Sequence, residues 1–179
     1  MKAINLISLL NAKKDLDDLN FKKYIEKSGI NPHIREYELE DLESLVEQFS
    51  EKTMHSYIFN SFYVGFEIHQ IGKEFDLLRI GENSVVNIEL KRKSTVEKIT
   101  KQLIQNHYYL KFLNVNVYNF TYEAATKKLF ALQDATTIEE VDFSVLIDKL
   151  HEQKLMKIDH LHDLFDPTHY LVSPYRPAC

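Results

Sequence analysis

At Ser56 the chain changes period. Before it, apolar residues recur every three or four positions; from there to Lys91 they alternate, in runs rich in β-branched and aromatic residues: YIFNSFYVGFEI, EFDLLRI and VVNIELK. A period of two sends successive side chains to opposite faces of a strand, so these runs have no single apolar face on a helix. Three of them, joined by short turns such as Gly81-Glu82-Asn83-Ser84, predict an antiparallel meander. Gly72 marks a bulge or turn entering the second run. Helical spacing returns in TVEKITKQLIQNHYYLKFL, where Ile99, Leu103, Leu110 and Leu113 form an apolar stripe and Ser94 or Thr95 is placed to cap the start. NVYNFTYEA and KLFAL read as two more strands around a turn near residues 124–127, and residues 138–166 as one or two amphipathic helices ending at Asp166-Pro167.

Upstream, INLISLLNAKKDLDDLNFKKYIEKSG has helical spacing and stops at Gly29, a C-cap ahead of Pro32. A further helix, LEDLESLVEQFSEK, sets Leu39, Leu42, Leu45, Val46 and Phe49 on one face and acids on the other. The order predicts an α/β domain with a mixed, mostly antiparallel central sheet flanked by helices. Four glycines and four prolines in 179 residues leave no linker, so a single domain is expected: a helical part over 1–38, a core over 39–132 and a helical part over 133–179. A hydrophobic share of 44% suffices for a core. No apolar run reaches membrane-spanning length, and the N-terminal apolar stretch is too short for a secretory signal, so a soluble, cytoplasmic protein without a membrane partner is expected. The single cysteine, Cys179, excludes an internal disulfide framework and a cysteine zinc site, and the ending SPYRPAC suggests a piece of a longer chain.

Net charge is −5, yet Lys91 to Lys111 contains six basic residues against one acid, so that window carries +5 and the rest of the chain −10. Segregation of this kind lets an acidic protein present a basic face to a phosphate backbone. The chemistry concentrates just ahead of it. In VVNIELKR, Asn87, Glu89 and Lys91 share one face, and Asp76 on the preceding run pairs beside Glu89 if the register across the turn allows. Two adjacent carboxylates in a partly buried site share a proton or take a divalent cation, and all-oxygen ligands suit Mg2+ or Mn2+. A lysine beside them supplies a positive group for phosphodiester hydrolysis.

Asp76, a gap of twelve residues, then Glu89-Leu90-Lys91 followed by a helix resembles the core of the PD-(D/E)xK nucleases, with Phe75 where the proline of the motif's name would stand. The resemblance implies a restriction-endonuclease-like core in the order helix, three-stranded meander, helix, strand over about residues 39–122. It implies that Asp76, Glu89 and the Leu90 carbonyl hold Mg2+ or Mn2+, with an acid from the helix before the sheet (Glu47 or Glu43) or Glu67 joining them. Lys91 is then expected to position or activate the attacking water. The following helix, with Gln105 and Tyr109, resembles the QxxxY pattern of a subset fused to recombination helicases. By that resemblance Gln102 joins the catalytic group, Lys98, Gln105 and Tyr109 contact substrate, and Arg92 and Lys93 contact flanking phosphates. The implied partners are nucleic acid, DNA in preference to RNA, a fused or associated helicase, and a second copy of the chain as a homodimer.

Two rivals are carried forward: a catalytically inactive nucleic-acid-binding or docking module of a larger helicase or defence protein, and a protein-interaction domain suggested by the acidic average. His151, His160, His162 and His169 lack zinc-type partner spacing. Phe59, Phe62, Tyr63, Phe66, Tyr118, Phe120 and Tyr122 read as sheet core, and no phosphate-binding glycine loop is present.

Overall fold

The computed structural model describes residues 1–165; Pro167, His169 and Cys179, and the helix end expected at Asp166-Pro167, lie outside the described residues. The N-terminal stretch expected as one helix is two, α1 (Leu6–Asp15) and α2 (Asp18–Ser28). Asp17 divides them: its carboxylate accepts the Asn20 amide at 2.8 Å and caps α2, the local bond by which aspartate competes with a continuing helix. Gly29 ends α2 at φ 74°, the left-handed cap expected of it. Helix α3 (Glu36–Lys52) begins one turn earlier than LEDLESLVEQFSEK, with Glu36 and Glu38 in its positive first turn and Glu38 accepting the Arg35 amide at 2.7 Å.

The meander is β1 (Tyr63–Ile68), β2 (Lys73–Ile80) and β3 (Ser84–Lys91), and the run before β1 starts as a single 3-10 turn at Ser56–Phe59. Gly72 sits in the β1–β2 turn at φ 62°. Helix α4 (Val96–Leu110), capped by Thr95, crosses over to β4 (Asn116–Glu123), which pairs parallel to β3; β5 (Lys128–Gln133) returns antiparallel. A sixth strand, β6 (Thr137–Val141), and helix α5 (Phe143–Glu152) occupy the region expected to be helical throughout. Thr-Ile-Glu-Glu-Val is short, polar and on the sheet edge, so the sequence carries little alternation there. The result is an α/β architecture with one open, mixed, mostly antiparallel sheet in the order β1-β2-β3-β4-β5-β6.

Two cores flank the sheet. Leu6, Phe21, Leu42, Phe49, Ile88, Phe120 and Leu146 pack on one face under α1, α2, α3 and α5; Phe66, Phe75, Leu78, Val85, Tyr109 and Leu110 pack on the other, under α4. The aromatic residues expected in the sheet core are there, with Tyr118 only partly buried against it. No helix among the described residues is long and apolar enough to cross a membrane.

Candidate functional site

Regular alternation fails at one point in β2. Phe75 packs in the α4-side core and Leu77, two residues on, in the α3-side core. Opposite this break Gly65 stands at φ 66°, a left-handed conformation that glycine adopts without penalty; the ladder pairs Val64 with Leu77 and Phe66 with Phe75 and skips the position between. The residue in the switch is Asp76. Its carboxylate accepts the Leu90 amide of β3 at 2.9 Å and lies within hydrogen-bonding reach of the Glu89 carboxyl. The β2–β3 register, Leu77 to Ile88 and Leu78 to Asn87, is the one that sets Asp76 beside Glu89 when continued by one residue.

Glu89 is 1% exposed. Burial, then the neighbouring Asp76, push its carboxyl well above the ordinary range, while Lys73 and a hydrogen bond from Asn106 pull the other way. Carboxylates buried this close together are stabilised by a shared proton or by a cation. Asn106 is the α4 residue that reaches the site, donating from Nδ2 to Glu89 Oε1 at 2.5 Å. It occupies the inward stripe between Leu103 and Leu110, and a polar residue on an apolar stripe is the signal by which a sequence reading finds it. Lys73, at the start of β2, is the second unforeseen residue: burial lowers its ammonium, and Glu89 and Asp76 are its chief opposing charges.

Asp76, Leu90, Lys91 and Arg92 line a cleft of about 410 Å3 whose other wall is the 30–38 segment and the first turns of α3. The Lys91 ammonium has no ion-pair or hydrogen-bond partner among the described residues. The acids that α3 supplies are Glu38 and Asp41, not the expected Glu43 or Glu47, which are exposed and line no part of the cleft. Asp41, 2% exposed, is raised first by its burial and held by Arg92 at 2.9 Å. Arg92, expected at flanking phosphates, is therefore engaged by Asp41 and, at 3.2 Å, by Glu40. Glu67 turns away to His69, 3.5 Å distant.

The α4 residues expected at substrate stand outside this cleft. Lys98 is exposed, Gln102 and Gln105 are half-buried, and Tyr109 is 8% exposed within the α4-side core. Tyr109 is thus a packing residue here. Lys93 is exposed beside the helix start. Among the described residues no group of three or more His, Cys, Asp or Glu side chains is disposed to hold a metal ion, so Asp76 and Glu89 would rely on backbone and solvent oxygens to complete a coordination sphere. Compared with protein-family models, curated proteins and solved structures, the chain matches none.

Proposed function

We propose that the protein is a metal-dependent nuclease that hydrolyses phosphodiester bonds, with DNA as substrate. The observation that carries the reading is the meeting of Asp76 and Glu89 at the break in β2, with Lys91, two residues beyond Glu89 on β3, lining the same cleft as Asp76. The order α3, β1 to β3, α4, β4 also agrees with a restriction-endonuclease-like core. The donor set fits Mg2+ or Mn2+: two adjacent carboxylates, of which Glu89 is raised well above the ordinary range by burial and by Asp76, a repulsion that a divalent cation relieves. When bound there, such a cation polarises a phosphoryl oxygen and eases deprotonation of water.

The chain's own residues then have defined tasks. Asp76, anchored by the Leu90 amide, presents an oxygen to the cleft, and Glu89 backs it from within the sheet. Lys91 orients the attacking water and offers positive charge to the phosphate as negative charge develops. Lys73 balances the acid pair from the far side. Arg35, facing Glu74 across the cleft and stacked on Tyr37 at 5.7 Å, is placed to steer the strand.

One observation favours a second reading, an inactive nucleic-acid-binding module: Glu89 is buried and bonded to Asn106 rather than open to the cleft. Calorimetric titration with Mn2+ separates the two. The nuclease reading expects binding that is lost in both D76N and E89Q, together with Mg2+- or Mn2+-dependent DNA cleavage that K91A abolishes without changing the circular dichroism spectrum. A folded K91A variant with full activity would overturn the mechanism.

A further inference from the structure

Behind Glu89, on the α4 side of the sheet, five buried polar side chains form one seam. Asn106 bonds Glu89; Glu89 is the cross-strand partner of Thr121, and Asn87 that of Asn119; Asn87 Nδ2 donates to Asn119 Oδ1 at 3.1 Å. Asn87 and Glu89, like Asn119 and Thr121, are two residues apart on one strand and so share a face. All five are at most 3% exposed. Four of their atoms, Asn87 Oδ1, Asn106 Oδ1, Asn119 Nδ2 and Thr121 Oγ1, have no hydrogen-bond partner among the described residues.

An orphaned polar atom in a protein interior carries a desolvation penalty of about 1–3 kcal/mol, so four in one seam call for a common partner. Their chemistry specifies it. Two are carbonyl oxygens that only accept, one is an amide nitrogen that only donates, and the hydroxyl can donate. Water donates twice and accepts twice. Reversing the Asn87 and Asn119 amides together exchanges the orphans without removing any.

We infer that Asn87, Asn106, Asn119 and Thr121 form a cage for one internal water, and that this hydrated cage fixes Asn106 so that it positions the Glu89 carboxylate for its cation. The cage follows from the orphaned atoms alone; the positioning role rests on the nuclease reading. Internal waters make two to four hydrogen bonds to otherwise unsatisfied groups, and groups that orient a ligating side chain typically change metal affinity about 10–100-fold when removed. Asn106 is a positioning residue in this scheme, since it touches Glu89 and not the substrate.

Two measurements on the full chain test this. A high-resolution crystal structure of the unsubstituted protein should show a water within hydrogen-bond distance of at least three of the four atoms; side chains bonded to one another around a dry gap would overturn the cage. Mn2+ titration should show affinity falling about 10–100-fold in N106L, falling in T121V and retained in T121S, which keeps the hydroxyl. Equal affinity in all four proteins would overturn the positioning role. If the unsubstituted protein binds no Mn2+, the nuclease reading fails, and with it the positioning role, while the cage stands or falls on the water.

Discussion

Arg79 heads the fully buried side chains by volume, and no carboxylate pairs with it among the described residues. Its guanidinium, lowered by burial to about 10 and so charged at neutral pH, donates to the Asn60, Leu150 and Tyr57 carbonyls at 2.9, 2.9 and 3.0 Å and lies over the Tyr57 and Phe62 rings. R79M strands those carbonyls and is expected to lower stability by about 3 kcal/mol or more, read from urea unfolding midpoints, with R79K intermediate. Glu89 gives a prediction of opposite sense. Its folded-state pKa is raised, so the folded protein keeps a proton that the unfolded chain releases above the ordinary value of 4.5. Stability of the metal-free protein is then full below that value and declines as pH rises through the raised one. Asp41 and Glu74, also raised by burial, add to the decline. E89Q is expected to raise the Tm at neutral pH and flatten its fall as pH rises above the ordinary carboxylate value; an unchanged slope would count against a buried acid pair.

The elements were legible wherever burial was one-sided and sustained. β3 and α4 follow from alternation and from the Ile99, Leu103, Leu110 stripe, because both are long and buried. The division of α1 from α2 turned on a single capping carboxylate, and β6 on edge pairing to β5 rather than on its own residues. The face switch at Asp76 was invisible, since only the pairing of β1 with β2 reveals what Gly65 permits. The β2–β3 turn also has a role beyond reversal: Glu82 N bonds Lys154 O at 2.8 Å, and a Cβ on Gly81 would stand 2.7 Å from that same oxygen. G81A should push the segment that follows α5 off the turn and lower stability by about 1–3 kcal/mol, as overpacking does, with the largest loss of amide protection at residues 150–155 in hydrogen exchange.

For the molecule as a whole, the sheet separates a broad core from a narrower one under α4, and the candidate site lies where β2 passes from one to the other. The cleft is walled by acids as well as bases: Glu38, Asp41, Glu74 and Asp76 against Arg35, Lys91 and Arg92. A polyanion approaching it depends on cations, whether bound ions or the exposed lysines at the start of α4. Under the nuclease reading, replacing both Lys93 and Lys98 by Ala should reduce the slope of log affinity against log salt by about two for duplex DNA, measured by fluorescence anisotropy with Ca2+ in place of Mg2+. An unchanged slope would place the DNA elsewhere.

Local pattern determined the α/β order, the meander and the Asp76, Glu89, Lys91 set, because period and spacing are properties of neighbouring residues. Only the tertiary structure decided that Asp41 and Glu38 line the cleft instead of Glu47, that Tyr109 is packed away, and that Asn106 and Lys73 attend the acid pair. Those outcomes depend on how a helix is rotated on a sheet and on one residue of register between two strands, quantities set by the packing of both partners and written in neither alone.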